Sequence, residues 1–175
     1  MITSNGFSQQ KKIRYDADLQ FVDEEKYPGA TVLIGNVKMI HAGAILTSQK
    51  AFYYKKENFF KAIGNVIINQ GDTVKQFSNY VDYDANFKKS VSWGSVVLED
   101  PTMTLTTDTL YFNRASQLLF YKDHAIIKDE TNVLESKNGN CLSKSCKTTR
   151  TEYKWKCENP NHKSFKLTYE RVKEG

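Results

Sequence analysis

The hexapeptide Ile63-Gly64-Asn65-Val66-Ile67-Ile68 decides the fold. It is apolar and β-branched, and one Gly-Asn pair interrupts it. The same pattern stands earlier as Ile34-Gly35-Asn36-Val37-Lys38-Met39 and later as Trp93-Gly94-Ser95-Val96-Val97-Leu98. A fainter copy is Lys122-Asp123-His124-Ala125-Ile126-Ile127. The phase runs 35, 64, 94, 123, in steps of 29, 30 and 29 residues. A constant period of this size marks stacked structural repeats.

A second signature keeps the same phase. Ser48-Gln49-Lys50-Ala51-Phe52-Tyr53 recurs as Ser78-Asn79-Tyr80-Val81-Asp82-Tyr83 and as Thr107-Asp108-Thr109-Leu110-Tyr111-Phe112. Its formula is small hydroxyl, polar, any, apolar, any, aromatic. Turn-forming segments follow each copy: Lys55-Lys56-Glu57-Asn58, Asp84-Ala85-Asn86 and Asn113-Arg114-Ala115-Ser116.

Each repeat therefore reads as two strands. The first strands are expected over about 31–41, 61–69, 91–99 and 120–128, the second over about 44–54, 73–83, 103–112 and 132–136. Alternation puts Val37 with Met39, Val66 with Ile68, Val96 with Leu98 and Ala125 with Ile127 on one apolar face. Leu46, Val74, Leu105 and Leu134 continue it on the second strands. The opposite face is mixed: Lys38, Ile67, Val97, Ile126. A glycine inside a strand usually marks a bulge or sharp bend. One bend per repeat at a fixed phase lets the stack fold over into two facing sheets. The expected body is an all-β stack of eight or nine strands that bury an apolar face only by stacking.

The chain has 175 residues, 13% of them aromatic and ten each Tyr and Phe, which suits strands. No run approaches the roughly 18 apolar residues of a membrane helix. The formal net charge of +5 lies wholly in residues 140–175, which hold nine Lys and Arg against four Asp and Glu. The remaining 139 residues carry sixteen of each sign and offer no basic surface for nucleic acid. Residues 1–12 read either as a disordered start or as the remnant of a signal peptide.

The recurring Gly-Asn-Val words resemble the OstA-like (LptA) family of periplasmic lipopolysaccharide transport proteins. The segment Ala62-Ile63-Gly64-Asn65-Val66-Ile67-Ile68-Asn69-Gln70-Gly71-Asp72 carries the likeness best, and it extends over about 13–139. The resemblance implies a twisted, partly open β-jellyroll of antiparallel strands with no catalytic role and no cofactor. It implies a groove for the acyl chains of lipopolysaccharide, and open strand edges that join neighbouring jellyrolls of a transport bridge in the cell envelope. The groove-lining positions would be Val37, Met39, Val66, Ile68, Val96 and Leu98, with Ala125 and Ile127 on the same face of the fourth copy. The N-terminal edge would lie near residues 13–21. The fourth copy departs from the pattern with Asp123-His124, and the repeat stops after Gly139.

Other chemistry is weakly signalled. His41, His124 and His162 share no triad-like context, and no nucleophile elbow, phosphate loop or carboxylate pair appears. Cys141, Cys146, Cys157 and His162 read C-x4-C-x10-C-x4-H, a donor set suited to zinc at a spacing foreign to common zinc modules. The expectation is no metal. Residues 140–175 read as a basic, cysteine-containing tail, with alternation at Tyr153-x-Trp155-x-Cys157 and Phe165-x-Leu167-x-Tyr169 compatible with a hairpin. Two alternatives to a lipid carrier stand: a β-solenoid polysaccharide-processing enzyme, and a purely structural β-stack. A solenoid enzyme should place carboxylates or basic residues in register, whereas these in-register positions are apolar, Gly-Asn or aromatic.

Overall fold

The computed structural model describes residues 13–71, 74–116, 118–130, 133–137, 139–143 and 155–158. Among these residues there is no helix and there are thirteen strands. They are β1 (Arg14–Asp16), β2 (Leu19–Val22), β3 (Ala30–His41), β4 (Ala44–Tyr54), β5 (Phe59–Gln70), β6 (Val74–Asp84) and β7 (Lys89–Glu99). Then follow β8 (Thr104–Asn113), β9 (Leu118–Tyr121), β10 (Ala125–Lys128), β11 (Val133–Ser136), β12 (Gly139–Ser143) and β13 (Trp155–Glu158). From β3 to β8 each strand pairs antiparallel with the next. A β-solenoid needs successive coils to run parallel, so this meander corrects the solenoid alternative.

Each long strand turns a corner at mid-length. In β3, Gly35 and Asn36 take φ of 77° and 44°; in β5, Gly64 and Asn65 take 79° and 48°; in β7, Gly94 and Ser95 take 78° and 58°. Between Ile34↔Lys50 and Val37↔Ser48 the register slips, so two residues of β3 oppose one of β4. This is a β-bulge, which bends its strand and re-aims the side chains beyond it. The bends divide the sheet into two facing walls. Wall A holds 30–34, 50–54, 59–63, 80–84, 89–93 and 109–113. Wall B holds 37–41, 44–48, 66–70, 74–78, 96–99 and 104–107.

The two sequence signatures turn out to be the two sides of this corner. A side chain at Gly35 would run into Asp18, one at Gly64 into Gln49, and one at Gly94 into Asn79. The polar position of the second signature thus packs against the glycine of the first. Asn36 Nδ2 donates to Asp18 Oδ2 at 2.9 Å and ties the first corner to the preceding chain. On the inner side, Ser48 Oγ donates to the Lys50 carbonyl and Thr107 Oγ1 to that of His124, both at 3.1 Å. The apolar position (Ala51, Val81, Leu110) is buried in every copy, and the aromatic Tyr53 and Tyr83 are buried beside it.

The fourth copy behaves differently. A single strand over 120–128 is expected, but the chain breaks at Lys122–His124 into β9 and β10. Asp123-His124 has no glycine to enter the left-handed region cheaply; other residues pay about 1–2 kcal/mol there. So β9 stays on wall A, against Tyr111–Asn113, while β10 stays on wall B, against Thr104–Thr107. The N-terminal end splits in the same way. β2 pairs with Thr31–Ile34 on wall A and β1 with Lys38–Ile40 on wall B. These split ends raise the strand number above the eight or nine expected. The boundary expected at 139 is also crossed, because β12 adds to β9 and β13 adds to β12. β13 pairs with β12; the proposed hairpin partner Phe165–Tyr169 lies outside the described residues.

Candidate functional site

The inner faces of the two walls meet in an apolar interior. All eight groove candidates face it from wall B. Val37, Met39, Val66, Val96, Leu98, Ala125 and Ile127 are buried, whereas Ile68 is partly buried against the core. The register aligns four of them, Met39, Ile68, Leu98 and Ile127. Met39, Leu46, Ile68, Gln76, Leu98, Leu105 and Ile127 form one continuous row across β3 to β8 and β10.

The facing wall was not assigned from the sequence. Wall A contributes Leu33, Ala51, Tyr53, Phe60, Ala62, Val81 and Tyr83 to one apolar cluster, together with Val37, Met39, Leu46 and Val66 from wall B. A second cluster joins Leu110, Leu119 and Tyr121 of wall A to Val96, Leu98, Leu105, Ala125 and Ile127 of wall B. The signal was present in the second signature, whose apolar and aromatic positions are these inward residues. It was legible only once the mid-strand corner turned those residues back over the first-strand positions.

Between the two clusters lies a polar waist. Gln76 of wall B donates from Nε2 to Ser92 Oγ of wall A, both buried. Ser78 and Ser90 are buried at the same level, and Ser78 Oγ has no hydrogen-bond partner among the described residues. At the mouth, opposite the corner, His41 Nδ1 lies 2.6 Å from Tyr83 OH, which spans wall B to wall A. Arg114, just past β8, reaches the hairpin between β3 and β4. Its Nη1 donates to the His41 carbonyl at 3.2 Å and its Nη2 to the Ala42 carbonyl at 3.0 Å. Burial pushes the Tyr83 phenol above its ordinary pKa, and the adjacent Arg114 guanidinium pulls it partly back. His41, at the end of the expected strand 31–41, thus joins the two walls through Tyr83 and Arg114. His124 is exposed at the break between β9 and β10.

Among the described residues no cluster of three or more His, Cys, Asp or Glu has the arrangement to hold a metal ion. Cys146 and His162 of the zinc candidate set lie outside the described residues. Among the described residues no helix is long and apolar enough to cross a membrane.

A sequence profile for OstA-like protein matches residues 10–168. The chain belongs to the OstA-like family. The match extends well past Gly139, so β12 and β13 of this OstA-like chain fall within the family's span. No curated protein matches the chain in sequence. Among solved structures, a similar fold occurs in LptH from Pseudomonas aeruginosa. That protein is described as the LptA-homologous periplasmic component of the conserved lipopolysaccharide transport device. The superposition has a TM-score of 0.53 at 13% identity and covers 85% of this chain and 95% of LptH. At that identity the likeness establishes the fold, a partly open β-jellyroll.

Proposed function

We propose that this OstA-like chain is a non-enzymatic carrier for the acyl chains of lipopolysaccharide, working in the periplasm as part of a transport bridge. The supporting observation is an apolar interior enclosed by a sheet that folds over without closing on itself. Family membership and the fold shared with LptH support the same reading. Each methylene taken out of water contributes about 0.8 kcal/mol, so a few acyl chains would bind tightly without any directional contact. Val37, Met39, Val66, Ile68, Val96, Leu98, Ala125 and Ile127 would form one side of the lipid-contacting surface. Neighbouring jellyrolls of the bridge would be the protein partners, joined through the unpaired edges.

Ile68 separates a carrier from a purely structural stack. It is the one wall position of the eight that is only partly buried. A long charged side chain there can run toward the opening, whereas a sealed core would leave it unpaired at a cost of several kcal/mol. Ile68→Arg should keep its thermal transition near that of wild type while capture of lipopolysaccharide or a fluorescent acyl probe falls. Lys38→Ala, on the outer face, should change neither. Wild-type protein that captures no amphiphile would overturn the carrier reading in favour of the structural stack.

A further inference from the structure

The three cysteines of the chain all lie beyond the repeat body, and the sheet gives two of them a definite relation. β12 and β13 pair antiparallel with Cα partners Asn140↔Glu158, Cys141↔Cys157, Leu142↔Lys156 and Ser143↔Trp155. Cys141 thus stands directly opposite Cys157 on the neighbouring strand. Residues directly opposite in an antiparallel pair have Cα atoms about 4.5 or 5.5 Å apart, depending on which kind of pair they form. Directly opposite positions of an antiparallel pair share one face of the sheet. Disulfides occur at Cα separations of about 4.4–6.8 Å, a range that includes both values, with the non-hydrogen-bonded pair bringing the two residues closer. A slip of one residue in this register would put the two cysteines on opposite faces.

We propose that Cys141 and Cys157 form a disulfide that fastens β13 to β12. The two thiols lose two protons and two electrons as the Sγ–Sγ bond forms. The acceptor is a disulfide-bearing oxidant, small-molecule or protein, whose own disulfide is reduced to two thiols by exchange. An oxidising compartment keeps such a bond; in this respect the inference rests on the periplasmic assignment above. The bond removes Cys141 and Cys157 from any metal donor set and leaves Cys146 as the third, separate thiol.

The test is thiol counting on the full chain, exported to the periplasm of an expression host. The protein is denatured in excess maleimide and weighed before and after reduction. One labelled thiol before reduction and three after it are expected, and the peptide map should join Cys141 to Cys157. Cys146→Ser should retain the bond and show no labelled thiol before reduction. Three labelled thiols in the exported wild type, or a bond that links Cys146 to either partner, would overturn the proposal. If the chain is not found in the periplasm, the localisation has failed instead. Refolding in a glutathione redox buffer then decides the pair: a Cys141–Cys157 bond formed there upholds it, and failure to form one overturns it.

Discussion

At the level of single residues, the corner is a backbone problem before it is a packing one. Two consecutive left-handed residues are needed per corner, and Gly-Asn supplies them at least cost, since Asn is the non-glycine residue best suited to that region. Gly64→Ala has two penalties, φ of 79° and an added methyl that meets Gln49. The side-chain conflict can be relieved by moving Gln49, but the conformational cost of about 1–2 kcal/mol cannot. Thermal unfolding should record a loss at least that large, while Asn65→Gly should cost little. A second residue-scale expectation concerns alkali. Burial raises the Tyr83 phenol above the ordinary tyrosine value of 10.0, and burial, followed by the nearby Tyr15, raises Tyr53. A folded-state pKa above the unfolded one means the folded chain holds its proton more tightly. The associated stability is complete below pH 10 and is lost as pH climbs through the folded-state values. Denaturant midpoints measured against pH should fall above that point, with tyrosine absorbance showing ionisation delayed until unfolding. Tyr83→Phe should flatten part of this decline at the expense of the bond to His41.

At the level of elements, the sequence showed the long strands well because their period and their interruption coincide. β4 was read with its boundaries as found, and the starts and ends of β3, β5, β6, β7 and β8 fall within two residues of expectation. What failed was the fourth copy, where Lys122-Asp123-His124 keeps the spacing but lacks the glycine that makes a continuous corner affordable. Half of the interior was legible as Val37, Met39, Val66 and their equivalents. The polar waist and the mouth latch were not, because Gln76–Ser92 and His41–Tyr83 join residues 16 and 42 apart across two walls. No local pattern announces such pairs. The edge strand β2 carries its own prediction. Asp18 N donates to the Gly35 carbonyl at 3.0 Å, so by alternation the Leu19 N–H points away from β3. Leu19 is 53% exposed. Leu19→Pro should therefore spare the fold yet block a backbone donor at the free edge. Sedimentation over a concentration series should show self-association in wild type and its weakening in the variant; identical monomers at every concentration would remove the edge from consideration.

At the level of the whole molecule, the two walls are joined continuously at the corners and by a small number of polar contacts at the mouth. Arg114 is central among these, since hydrogen bonds to a charged donor contribute about 1.5–3 kcal/mol each. Arg114→Ala should loosen the mouth while the corners stay intact. Hydrogen exchange should quicken at Ala42–Leu46 and around Tyr83, with little change at Gly64–Val66. On the carrier reading, uptake of an acyl probe should become faster in the same variant. Uniform exchange throughout the chain would mean that the latch holds the fold rather than the opening.

The split ends have a mechanical meaning of their own. A single straight sheet edge joined to a neighbour is a hinge, free to swing about the line of its hydrogen bonds. Here each end is forked, with β1 and β2 at one end, and β10–β11 and β9–β12–β13 at the other, lying on two walls that diverge from a corner. A neighbour gripping both prongs cannot pivot about either one. Any file of such molecules would then be torsionally stiff, its rotation per unit fixed by the angle of the fork, so that one mouth is aimed at the next.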